Sequence, residues 1–168
     1  KLVLKPGGHG VIWKLAQDSG AFRWLQEHRV DTAVVRQINN PLAGLDNSFF
    51  TLIGYGLKHK KSFGFASCPS RSGFAEGLNI LSINPTEGAT ISNIEYTYFK
   101  TLQVAYPHLF ENGSCPANTN ILFAYLPAIE KALQKDPIPG IIINPKTAIE
   151  ITKNGILEKK MAARLESS

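Results

Sequence analysis

The sequence predicts an α/β domain of three layers, a mixed sheet with helices packed on both faces. Three patterns carry that expectation. The short apolar run Leu2-Val3-Leu4 enters a glycine-rich loop and is followed by apolar residues at helical spacing. Ala33-Val34-Val35 is an uninterrupted apolar stretch, the pattern of a strand covered on both faces. A second strand-to-helix passage runs from Asn120 to Leu133, with Pro127 placed where a helix starts.

Taken in order, residues 2–4 read as a strand that ends at Lys5-Pro6-Gly7-Gly8-His9-Gly10, where proline and three glycines forbid continued regular structure. Ile12, Leu15, Ala16, Phe22 and Leu25 then recur with helical period, and Ser19-Gly20 divides the run into two helices. Residues 32–38 form a strand whose apolar run points to a parallel sheet, completing a strand-helix-strand unit. Asn39-Asn40-Pro41 ends it, and residues 46–55 read as a helix capped by Asp or Asn. Residues 62–68, 78–83 and 90–98 read as strands, with Pro85-Thr86-Glu87-Gly88 turning the second into the third. Residues 120–126 make another strand and residues 127–133 a helix, after which Ile141-Ile142-Ile143 resumes the sheet. Asn154-Gly155 is the strongest short hairpin signal in the chain, and residues 160–168 have helical character. There is no internal repeat or low-complexity segment, and residues 1–168 read as one domain.

Composition narrows the function. With 43% hydrophobic and 18% charged residues the chain can bury a core, which excludes a disordered or fibrous class. No apolar run approaches the roughly 20 residues of a membrane helix, so no membrane partner is expected. Lys1 is not an initiator Met and no leader pattern follows, so the expectation is a chain cut from a longer protein at both ends. Cys68 and Cys115 form no C-x-x-C pair and read as buried thiols in a reducing compartment, not as zinc ligands or a disulfide. A net charge of +5 suits phosphate-rich ligands or nucleic acid. The tight basic run Lys58-His59-Lys60-Lys61 has no interleaved aromatic, however, and reads as a solvated loop. His28, His59 and His108 read as solvent-facing.

The spacing of Lys5-Pro6-Gly7-Gly8-His9-Gly10 and Arg36-Gln37-Ile38-Asn39-Asn40 resembles the UTP–glucose-1-phosphate uridylyltransferase (UDP-glucose pyrophosphorylase) family, particularly its plastid-type and related bacterial members. Gly64-Phe65-Ala66-Ser67-Cys68, Glu76-Gly77-Leu78-Asn79, Ile94-Glu95-Tyr96-Thr97, Pro116-Ala117-Asn118-Thr119-Asn120, Asn144-Pro145-Lys146 and Arg164-Leu165-Glu166 continue the likeness in the same order. The resemblance implies a Rossmann-like nucleotidyltransferase fold, with residues 1–168 a partial catalytic domain lacking the first strand and the glycine-rich nucleotide loop. It implies that the intact protein, and not residues 1–168 alone, transfers a uridylyl group from UTP to glucose 1-phosphate, giving UDP-glucose and pyrophosphate, with Mg²⁺ as cofactor, in the cytoplasm or the plastid stroma.

The resemblance also assigns residues. Gly8 and Gly10 would let backbone approach uracil or sugar, and a plain strand-to-helix turn is the alternative. His9, whose imidazole can hydrogen-bond a phosphate or sugar hydroxyl, joins Lys146, whose ammonium would stabilise crowded phosphate oxygens, as the catalytic pair. Asn40 would contact the ribose or nucleotide, and Asn39 stands where relatives usually carry a metal-binding Asp; a turn ahead of Pro41 is the alternative for both. Glu95 would accept hydrogen bonds from sugar hydroxyls, with Asn118 and Asn120 beside it on the hexose. Two other functions stay open: a nucleotide-sugar-binding paralogue that does not turn over, marked by Asn39, and a basic nucleic-acid-binding fragment. Self-association of the chain through exposed sheet edges is a further expectation.

Overall fold

A computed structural model of the chain describes residues 7–38, 47–70, 77–86, 88–95, 98–107, 115–138 and 140–167. The elements are α1 (Val11–Asp18), α2 (Ala21–Glu27), β1 (Thr32–Val35), α3 (Asn47–Lys58), β2 (Phe63–Pro69), β3 (Leu78–Asn84), β4 (Gly88–Ile94), α4 (Phe99–Ala105), β5 (Pro116–Tyr125), α5 (Leu126–Lys135), β6 (Ile141–Lys153) and β7 (Ile156–Ser167). The α/β class is borne out. The strand expected at residues 2–4 and the turn at Asn39-Asn40-Pro41 lie outside the described residues, as does His108.

The chain divides into two compact units, Thr32–Tyr125 and the pair of segments Lys1–Asp31 and Leu126–Ser168. In the first unit β5 is the organising strand. It pairs with β1, β2 and β3, and β4 joins outside β3. All of these pairings are antiparallel. The parallel direction inferred for residues 32–38 is therefore corrected, because an apolar run reports coverage of a strand and carries no information on which way its neighbour runs. Leu78, Ala117, Phe123 and Ala124 form the buried centre. Helix α3 lies over it at Gly56, where a Cβ would come within 2.6 to 2.7 Å of the Phe123 ring.

The second unit packs α1 near α2 and α5, and carries the β6–β7 hairpin. Gly20, at φ +78, separates α1 from α2, as the Ser19-Gly20 pair foretold. Phe22, Leu126 and Leu133 are its buried apolar residues. The Leu126 amide donates to the Asp31 carbonyl at 2.8 Å. Asn154 and Gly155 both have positive φ, 52 and 78, which is the type I′ geometry that an Asn-Gly pair favours.

Two elements differ from the sequence reading for local reasons. Residues 160–168 were expected to be helical, yet β7 pairs with β6 from Ile141↔Ser167 to Lys153↔Ile156. Good helix formers there are overridden by the hairpin turn at Asn154-Gly155 and the backbone pairing with β6 that it sets in register. The strand expected over residues 90–98 stops at Ile94. The Tyr98 amide instead donates to the Glu95 carbonyl at 2.9 Å, and α4 begins with Phe99 and Leu102 half-buried one turn apart. Cys68 is exposed, not buried, because it lies on β2 at a position with an open face; Cys115 is half-buried, and both are free thiols.

The two glycines of α3 should respond oppositely to alanine. Gly54 has nothing within 4 Å of an added Cβ, so Gly54→Ala should stabilise by about 0.5–1 kcal/mol through helix propensity. Gly56→Ala gains the same propensity but overpacks against Phe123, at a cost of about 1–3 kcal/mol, and should be net destabilising. Urea denaturation of the two variants reads the sign directly.

Candidate functional site

The β2–β5 pairing slips between Phe65↔Leu122 and Ser67↔Asn118, so Thr119, Asn120 and Ile121 face Ala66 alone. Asn120 takes up the excess in the left-handed region at φ 55, a conformation Asn tolerates better than most side chains. The Thr119 hydroxyl donates to the Ala66 carbonyl at 2.6 Å and pins the bulge. The irregularity brings two predicted sugar-binding residues together: Asn118 Nδ2 donates to Asn120 Oδ1 at 3.1 Å, and the Asn120 amide donates to Asn118 Oδ1 at 2.9 Å.

The same row continues across the sheet. The Asn118 amide donates to the Gly77 carbonyl at 2.8 Å, one step before the Leu78↔Ala117 pair. Leu78 also pairs with Ile94, so Gly77 and Glu95 lie at the same end of the β3–β4 ladder. Glu95 is half-buried there. The resemblance grouped Glu95 with Asn118 through a shared ligand; sheet register connects them through Gly77.

Three residues of this face were not foreseen. Asn93 Nδ2 donates to Asn79 Oδ1 at 3.2 Å, and Asn79 Nδ2 donates to Ser67 Oγ at 2.7 Å. Asn79 pairs with Asn93, and Ser67 pairs with Asn118. Strand alternation gave no signal for them, since Asn79 and Asn93 share a face with the apolar Leu81, Ile83 and Ile91.

The remaining predicted residues lie in the other unit or outside the described chain. Gly8 has φ +93, and a Cβ on it would meet the Ser167 carbonyl oxygen at 2.3 Å and amide nitrogen at 2.8 Å. The Ser167 amide donates to the Gly7 carbonyl at 2.6 Å, and the Gly10 amide donates to the Ser167 carbonyl at 3.0 Å. The loop is thus clamped to the end of β7, which gives Gly8 a structural requirement of its own. His9 is exposed, and Gly10 is buried at the start of α1. Lys146 is the extra residue of a bulge between Pro145↔Ala163 and Thr147↔Ala162. Asn39 and Asn40 lie outside the described residues.

Chemically, the sheet face of the first unit offers neutral amides, a hydroxyl and one carboxylate. That set suits a ligand rich in hydroxyl groups, which both donate and accept. Among the described residues no group of three or more His, Cys, Asp or Glu converges. Nor is any described helix long and apolar enough to cross a membrane.

No protein-family model matches the chain. Among curated proteins it is 39% identical over 175 aligned residues to UTP–glucose-1-phosphate uridylyltransferase 3, chloroplastic, of Arabidopsis thaliana, covering 98% of this chain and 20% of that protein. Among solved structures it is similar to a UDP-glucose phosphorylase from Trypanosoma brucei, with TM-score 0.71, 19% identity, and coverage of 96% of this chain and 33% of that one. A mutant UDP-glucose pyrophosphorylase from Leishmania major in complex with UDP-glucose gives TM-score 0.70 and 23% identity, covering 98% and 35%. The structural likenesses establish a shared fold. Over nearly its whole length, then, this chain is a sequence relative of one fifth of a UTP–glucose-1-phosphate uridylyltransferase, and the resemblance read from its ordered motifs is borne out.

Proposed function

We propose that the intact polypeptide containing this chain transfers a uridylyl group from UTP to glucose 1-phosphate, giving UDP-glucose and pyrophosphate. The observation that carries this reading is the polar sheet face on which Glu95, Asn118 and Asn120 are brought to one end of the β4–β3–β5 ladder. The 39% identity to the Arabidopsis enzyme supports it. In this reading a phosphate oxygen of glucose 1-phosphate attacks the α-phosphorus of UTP, and no covalent enzyme intermediate forms. The protein's task is to hold the reactants in line and to offset phosphate charge.

Roles follow from donor chemistry. Glu95 accepts from hexose hydroxyls, while Asn118 and Asn120 can donate and accept. Lys146 supplies a positive charge to the phosphates, with His9 as a second phosphate or hydroxyl partner. Gly8 and Gly10 leave room for the base, and Asn40 meets the ribose. Mg²⁺ is the proposed cofactor and would screen the triphosphate. Its ligands would come largely from phosphate and water, because Asn39 offers only a neutral amide oxygen. The chloroplast location of the Arabidopsis relative supports the plastid stroma over the cytoplasm. A paralogue that binds nucleotide sugar without turnover is the second reading, favoured by Asn39 in place of the usual Asp.

The isolated chain is proposed to self-associate. Ile141, Ile143, Leu157, Met161 and Leu165 on the hairpin are all more than 60% exposed, and light scattering should show species larger than 18.4 kDa. In the intact polypeptide Asn120→Gly removes the amide while keeping a left-handed backbone, so the melting temperature should hold. The KM for glucose 1-phosphate should rise roughly threefold to tenfold, the value of one neutral hydrogen bond. A melting temperature that holds with an unchanged KM would count against the hexose role. Asn39→Asp should lower the Mg²⁺ concentration at half-maximal rate by roughly tenfold, as a charge-assisted contact is worth about 1.5–3 kcal/mol. Unchanged Mg²⁺ dependence would remove Asn39 from the metal site.

A further inference from the structure

We infer that Asn93 is a further specificity-determining residue of the hexose pocket, held over Gly77 by Asn79 and Ser67. The inference rests on the uridylyltransferase reading above and goes beyond the residues that reading assigns.

Gly77 supplies the first observation. A Cβ built on it would lie 2.7 Å from Asn93 Oδ1 and 3.0 Å from Asn93 Nδ2. The Asn93 amide thus occupies the space that any other side chain at position 77 would fill. Gly77 is bonded to Asn118 on one side and ends the ladder beside Glu95 on the other. The Asn93 amide is therefore set at the middle of the row formed by the two residues already assigned to the sugar.

The second observation is its anchoring. Asn93 Nδ2 is committed, at 3.2 Å to Asn79 Oδ1 and at 3.5 Å to the Leu78 carbonyl. Asn79 is fixed in turn by its bond to Ser67 Oγ. Both Nδ2 bonds run to protein acceptors and turn Oδ1 away from them. The described residues supply no donor to that oxygen. A half-buried amide oxygen left open on a polar face is an acceptor awaiting a donor, and hexose hydroxyls are donors. Because the amide is fixed by a chain of side chains, its acceptor sits at a defined height over Gly77. It would favour the hexose whose hydroxyl points to that height and leave the epimer unpaired.

The test uses the intact polypeptide, with glucose 1-phosphate and galactose 1-phosphate as alternative substrates and UDP-glucose binding followed by calorimetry. Asn93→Ala should raise the KM for the preferred sugar 1-phosphate and the Kd for UDP-glucose roughly tenfold, with the KM for UTP within about twofold of the parent. The ratio of kcat/KM between the two hexoses should fall, which a loss of folding alone would not produce. Ser67→Ala, at an exposed position, releases Asn79 without touching Asn93 and should move the same ratio in the same direction by a smaller factor. Glu95→Ala is run beside them. If Glu95→Ala weakens sugar binding and neither Asn93→Ala nor Ser67→Ala changes the hexose ratio, the inference is overturned and the pocket reading stands. If none of the three variants affects sugar 1-phosphate use, both fail together.

Discussion

Strand β5 is under two demands that a regular strand cannot meet at once. Toward its C-terminal half it must bury Phe123 and Ala124 between neighbouring strands, in register with Val34 and Ala33 of β1 and Gly64 and Phe63 of β2. Toward its N-terminal half it must present Asn118 beside Gly77 and Ser67. The bulge at residues 119–121 reconciles them. The left-handed Asn120 costs on the order of 1 kcal/mol, and it is offset by the bond from Thr119 to the Ala66 carbonyl and by the reciprocal Asn118–Asn120 contact. The strained residue thus sits where the Asn118 and Asn120 amides converge.

Three glycines mark places where backbone is approached too closely for any other residue, and each secures a different contact. At Gly56 the partner is the Phe123 ring, so the glycine serves packing of α3 on the sheet. At Gly8 the partner is the backbone of Ser167, which closes the loop on the end of β7. At Gly77 the partner is the Asn93 amide, which lies in the space a Cβ would take while its Nδ2 bonds to Asn79. Gly54, Gly64 and Gly155, with open space around them, make no such claim.

The chemistry divides along the same lines. The sheet of residues 32–125 concentrates neutral donors and acceptors together with Glu95, a combination matched to hydroxyl groups. The loop at Gly7–Gly10 and the bulge at Lys146 belong to the other unit, where the Gly10 amide donates to the Ser167 carbonyl and the Ser167 amide to the Gly7 carbonyl.

By itself the sequence determined the elements whose signals are local. Gly20 separated two helices because only glycine enters the left-handed region freely, Asn154-Gly155 set a hairpin, and Pro127 marked a helix start. Glu95, Asn118 and Asn120 were legible as candidates because their motifs occur in the order seen in relatives. The tertiary structure alone decided what depends on partners distant in the chain. It set strand direction, which an apolar run does not encode, and turned residues 156–167 into a strand although their propensities favour a helix. It also decided that Ser67, Asn79 and Asn93 share a face with the predicted site. Asn79 and Asn93 are 14 residues apart and Asn79 and Ser67 are 12, and only antiparallel pairing, of β3 with β4 and of both β3 and β2 with β5, brings the Asn79 amide within hydrogen-bonding distance of the Asn93 amide and the Ser67 hydroxyl.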